Sequence, residues 1–203
     1  MKQKIVGILL FNEVEVLDFA GPFEVFSVTE DSSKNDKPFK VVTISQDGQM
    51  IKARNGLRVQ PDFSFEDHPD LDILVVPGGY GARELEIHNQ DLHQWIKEQD
   101  QTTEYTTSVC TGAFLLAKAG LLEGKTVTTH FSAIDRLAES FPSLNVKRST
   151  KFVDEGHILT SAGISAGIEL SLYLVGKLLG SNVSENTARQ MEYDIQFGHQ
   201  KNK

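Results

Sequence analysis

The sequence predicts an α/β fold: a mainly parallel sheet with helices on both of its faces. Strand-length apolar runs alternate with segments of helical period along almost the whole chain, and several of those runs are apolar on both faces. No fixed-period repeat or low-complexity tract interrupts the pattern, and 203 residues suit one domain spanning 1–203.

The first run, residues 5–11, reads as a buried strand, and Gly21-Pro22 reads as the start of a helix carrying Phe23, Val25, Phe26 and Val28. A polar loop over 31–37 precedes a second strand over 39–44. Turn signals at Asp47-Gly48 and Asn55-Gly56 point to a small hairpin. Residues 72–76 form a continuous apolar strand running into Pro77-Gly78-Gly79. A helix follows over 91–99 with Trp95 and Ile96, then a strand over 105–109 and a helix over 111–122 stopped by Gly124. A strand over 126–129, a helix over 133–141 and a strand pair over 146–160 turning at Asp154-Glu155-Gly156 come next. A long helix over 165–179 ends at Gly180, and a last one begins near Ser184.

Hydrophobic residues make up 39% and charged residues 24%, as in ordinary globular proteins. A net charge of −8 argues against a nucleic-acid surface. No apolar run is long enough to span a bilayer, and Lys2-Gln3-Lys4 leads into a strand rather than a signal peptide, so a cytoplasmic protein is expected. A single cysteine leaves no internal disulfide.

That cysteine, Cys110, falls where a strand run meets a helix run, among Ser108, Thr111, Gly112 and Ala113. A lone cysteine is often only a small buried apolar residue. At the start of a helix, however, unpaired N–H groups favour an anion and so the nucleophilic thiolate. In a parallel sheet, ligands bind beyond the carboxyl ends of the strands, and three other loops share that rim. The first carries Leu17-Asp18-Phe19-Ala20-Gly21-Pro22, with an acid in an apolar setting that could also be a plain helix cap. The second carries Pro77-Gly78-Gly79-Tyr80-Gly81, whose backbone N–H groups could meet developing charge. The third, Ser161-Ala162-Gly163-Ile164-Ser165-Ala166-Gly167, is small enough to serve packing alone.

Together with Val76-Pro77-Gly78-Gly79 and Val109-Cys110-Thr111-Gly112-Ala113, these motifs resemble the ThiJ/PfpI superfamily over nearly the whole chain, and within it the isonitrile hydratases. The resemblance implies a flavodoxin-like three-layer sandwich, as in the class I glutamine amidotransferases, and a homodimer acting on a small molecule without metal or organic cofactor. It places a nucleophile at Cys110, a partner carboxylate at Asp18, and Thr111 after the cysteine. It also implies anion-binding N–H groups at Gly79 and Thr111, on the loop shared with Gly78, and a place near the pocket for Ile164. The protease and amidase branch has a histidine directly after its cysteine, where this chain has Thr111. Many stress-protein members carry a glutamate where this chain has Asp18.

An ionised carboxylate beside a thiol raises the thiol's pKa, so such a pair can supply a thiolate only by sharing one proton. His130 follows the 126–129 strand and can reach the same rim, either at the reaction or as a structural hydrogen-bonding group. His68, His88, His93, His157 and His199 read as solvated, the acidic stretches at Asp31 and 67–72 as solvated loops, and the phenylalanines as mostly core. Histidine spacing suggests no zinc site. A ligand-sensing module like the amino-terminal halves of some transcription regulators, a redox-responsive protein, and a glyoxalase-like or hydrolytic enzyme stay open. A DNA-binding half is not expected, because little sequence follows the last long helix.

Overall fold

The computed structural model describes residues 2–31 and 37–194. His199 and the centre of the 31–37 loop lie outside them. In chain order the elements are β1 (Lys4–Leu9), α1 (Val16–Val28), β2 (Phe39–Ile44), β3 (Ile51–Lys52), β4 (Arg58–Val59) and β5 (Ile73–Val76). Then follow α2 (Gln90–Asp100), β6 (Tyr105–Ser108), α3 (Gly112–Lys118), β7 (Thr126–Val127), α4 (Ile134–Ser140) and β8 (Asn145–Val146). The chain closes with β9 (Phe152–Glu155), β10 (Ile158–Ser161), α5 (Ala166–Leu179) and α6 (Ser181–Gln190).

The central sheet runs in the order β2-β1-β5-β6-β10-β9, parallel except for β9, which turns back antiparallel on β10 at an edge. Every residue of β5 and β10 is buried, as strands covered on both faces require. Helices α1, α5 and α6 pack against one another, as do α2 and α3, and the sheet is flanked by these helices in a flavodoxin-like sandwich. Strand β6 is an exception to apolar burial: Thr106, Thr107 and Ser108 are all buried. Thr107 Oγ1 offsets this by donating to the Leu74 carbonyl at 3.0 Å.

Several expectations need correction. The first helix begins at Val16, not at Gly21-Pro22, which lie inside it. These two residues serve helix packing: a side chain at Gly21 would lie 2.9 Å from Ile168 on α5, and Pro22 faces Gly167. The hairpin exists only at Asn55-Gly56, joining β3 to β4, because both residues take positive φ there. Asp47-Gly48 is a local bend in which Asp47 accepts the Gln49 N–H. Helix α3 ends at Lys118, before a positive-φ Gly120. Strand β7 is short and lies outside the central sheet, pairing with β8 instead. The loop after β5 carries a π-helical turn, Gly81–Leu85, and a 3-10 turn, Glu86–His88, that the sequence did not announce.

Some polar residues are structural rather than solvated. His68 accepts the Trp95 Nε1–H at 3.0 Å, and His157 joins Asp100 to the Glu104 carbonyl. His93 Nε2 is buried, with no hydrogen-bond partner among the described residues. Asp72 accepts the Ile5 N–H at 2.7 Å, tying β1 to the start of β5. Among the phenylalanines, Phe131 stands 80% exposed. No helix among the described residues is long and apolar enough to cross a membrane.

Candidate active site

Four loops meet at the carboxyl ends of β1, β5, β6 and β10, and Cys110 sits at their centre. It is the second residue past β6 and takes φ of 56°, a left-handed backbone that costs a non-glycine residue roughly 1–2 kcal/mol. Neighbouring loops hold it in that bend. Its N–H donates to the Ala162 carbonyl at 3.1 Å, and its own carbonyl accepts from Thr129 Oγ1 at 2.7 Å. The elbow can press against the end of β5 because Gly78 is there; a Cβ at Gly78 would lie 2.4 Å from the Thr111 nitrogen.

The cysteine is 5% exposed. The backbone N–H groups of Thr111 and Ile164 act on its sulfur, and both favour the thiolate. Ile164 is itself strained, with φ of 31°, as the loop bends to aim that N–H. The third motif is therefore more than packing.

Asp18 is fully buried in the first turn of α1, three residues after the helix cap at Glu15, rather than in a loop or at the cap itself. Its Oδ2 accepts the Gly78 N–H at 3.0 Å. The carboxyl interacts with the cysteine sulfur, although Oδ1 makes no well-formed hydrogen bond to any described residue. Burial, helped by the charge of Glu15, raises Asp18 to about 7 despite the Gly78 and Cys110 hydrogen bonds. Burial and the nearby carboxylate push the Cys110 thiol up to about 12. These values belong to one coupled unit: a first proton leaves near neutrality and the second is held far into the alkaline range. Between those two steps the pair carries a single negative charge. The Gly78 N–H draws that charge toward oxygen, and the Thr111 and Ile164 N–H groups draw it toward sulfur.

Thr111 Oγ1 accepts the Gly79 N–H at 2.9 Å and lies 3.2 Å from the Gly79 carbonyl. The Gly79 N–H is thus engaged by a side chain, and the Gly78 N–H by Asp18, instead of both standing open to a ligand. His130 does stand at the rim, its ring packed against Gly163. Its Nδ1 accepts the Ser132 N–H and caps a 3-10 turn, which is the structural role. Burial and the charge of Arg83 hold it below its ordinary pKa, opposed by Glu15, which leaves the ring neutral at pH 7. Ala162 lies within the 161–167 motif, but Thr129, Glu15 and Arg83 belong to none of the sequence motifs. Only the adjacency of Thr129 to His130 could have pointed to any of them.

A flavodoxin-like sandwich with a left-handed cysteine at a strand–helix elbow, beside a buried acid, defines a class of α/β proteins. The DJ-1/PfpI family model matches residues 4–177, and the chain belongs to that family. It is 36% identical over 188 residues to an isonitrile hydratase of Pseudomonas putida, covering 93% of this chain and 78% of that one. It is also 34% identical over 147 residues to the transcriptional regulator CdhR of Pseudomonas aeruginosa, spanning 72% of this chain but only 43% of the regulator. Among solved structures, a ThiJ/PfpI family protein from Pseudomonas syringae superposes with a TM-score of 0.85 at 26% identity, covering 98% of this chain and 79% of that one. Drosophila melanogaster DJ-1beta, at 20% identity and a TM-score of 0.81, covers 95% of this chain and all of its own; it shares the fold.

Proposed function

We propose that the protein hydrates isonitriles, R–N≡C, to N-substituted formamides, with Cys110 as nucleophile and Asp18 as proton carrier. The observation that carries this reading is the buried Cys110–Asp18 pair at a left-handed strand–helix elbow, in a chain 36% identical to an isonitrile hydratase.

The thiolate attacks the terminal carbon and forms a C–S bond. Asp18, holding the shared proton, delivers it to that carbon and leaves a thioimidate, R–N=CH–S. Water then adds to the same carbon while the Asp18 carboxylate takes one of its protons and passes it to nitrogen; as the C–S bond breaks and the carbonyl forms, the remaining hydroxyl proton goes to Asp18. The products are R–NH–CHO and the starting thiolate with its protonated neighbour, so the sum is one water added. The Thr111 and Ile164 N–H groups support the sulfur's charge at the beginning and end of the cycle. Thr111 Oγ1 keeps the Gly79 segment against the elbow. Ile164 and His130 border the place where R would lie, and no step calls for a metal or organic cofactor.

The test is turnover of one small and one bulky isonitrile, read as formamide by chromatography. Formamide from either supports the reading; none from both, together with consumption of a dicarbonyl, would replace it with a glyoxalase-like activity. The likeness to a transcription regulator favours a second reading, a ligand- or peroxide-sensing domain. Oxidation of Cys110 at low peroxide dose, without turnover of isonitriles, carbonyls or amides, is the result that reading requires. The hydratase reading also carries a homodimer, in which a second copy could cover the exposed Phe131 next to His130.

A further inference from the structure

We infer that Thr129 is a positioning residue for the nucleophile, acting on the sulfur through a single peptide group. This rests on the reading of Cys110 as a nucleophile. Thr129 is fully buried, and its Oγ1 donates to the Cys110 carbonyl at 2.7 Å. That carbonyl and the Thr111 N–H are the two ends of one planar, resonance-stabilised amide. The Thr111 N–H, adjacent to Cys110, is in turn one of the two backbone N–H groups that favour charge on its sulfur. The chain of contacts therefore runs from the Thr129 hydroxyl to the 110–111 peptide and back to Sγ. A hydrogen bond accepted at the carbonyl polarises the amide and makes its N–H a stronger donor, so the threonine strengthens the group that steadies the thiolate.

The same bond secures the geometry. Cys110 is held in a left-handed bend from both sides, its N–H by Ala162 and its carbonyl by Thr129. Each holding group is itself fixed. The Ala162 N–H donates to the Lys151 carbonyl at 2.8 Å, and Thr128, next to Thr129, is anchored by its N–H to Thr160 Oγ1 at 2.9 Å and by its hydroxyl to the Lys147 carbonyl at 3.1 Å. Without the Thr129 bond, the strained residue is freer to swing its sulfur away from the two N–H donors and from Asp18.

The experiment uses the single cysteine, whose thiolate absorbs near 240 nm and whose alkylation by iodoacetamide can be followed by mass spectrometry without interference. Wild type, Thr129→Ser, Thr129→Ala and Thr129→Val are compared from pH 6 to 9, with Cys110→Ser as the blank. Alanine and valine should lower the thiolate signal and the alkylation rate by about tenfold, the scale of one hydrogen bond, while serine stays near wild type. Wild-type signals in the alanine and valine variants overturn the inference. A serine variant as impaired as alanine also overturns it, since the methyl group's packing would then be what matters. A wild-type protein without thiolate or alkylation sinks the nucleophile reading itself, which is a separate outcome from wild type and variants reacting alike.

Discussion

Asp18 and Cys110 are each held away from water, and the carboxylate makes the thiolate harder to form, whereas the thiol's hydrogen bond eases the charge on Asp18. For catalysis, Cys110→Ser should abolish formamide production, and Asp18→Asn should lower it by roughly a hundredfold or more, the usual weight of general acid–base work. Near-normal turnover by either variant would reject the mechanism. The same burial has a consequence for stability. Asp18 titrates at about 7 in the fold against an ordinary 3.8, so between these values the folded chain keeps a proton that the unfolded chain has lost. Stability should therefore fall as pH rises from about 4 to 7 and level off above, by something of order 2–4 kcal/mol from this residue. Urea unfolding at pH 5 and pH 8 should show that loss in wild type and a smaller one in Asp18→Asn. Identical pH dependence in the two proteins would mean that Asp18 has an ordinary carboxyl in the fold.

At the scale of elements, the elbow is a joint between β6 and α3 that exists because backbone can touch backbone. Gly112, the first residue of α3, sits so close to β5 that an added Cβ would lie 2.1 Å from the Val76 carbonyl oxygen. Gly112→Ala should push α3 off the strand end, cost about 2–4 kcal/mol in urea unfolding as an overpacking change in a rigid site, and misplace the Thr111 N–H. A variant with wild-type stability and activity would show that the joint has slack. The Gly21-Pro22 pair teaches a related lesson. Read along the chain, a proline marks a helix start; in the fold, both residues lie inside α1 and shape its contact with α5. Local sequence cannot tell these uses apart, because the partner helix begins more than a hundred residues later.

At the scale of the whole molecule, Phe131 leaves a large aromatic ring in water beside the site. Sedimentation at micromolar concentration should give twice the chain mass, and Phe131→Ser should weaken the assembly if the second copy covers that ring. A monomer in both cases would remove the homodimer from the reading.

By itself, the sequence determined the layered architecture, because alternating apolar runs of strand and helix length can bury their faces in few other ways. It also determined that Cys110, Asp18, the Gly78-Gly79 turn and the 161–167 loop share one rim, since a parallel sheet places successive strand ends together. Tertiary structure alone decided what those groups do to one another. It took the Gly78 N–H for Asp18 and the Gly79 N–H for Thr111, and it turned Ile164 toward the sulfur. It set Thr129 behind the elbow and moved β7 out of the main sheet. The reason is physical: burial follows from side-chain pattern and is legible along a chain, whereas a hydrogen bond depends on tenths of an ångström between segments that only folding brings together.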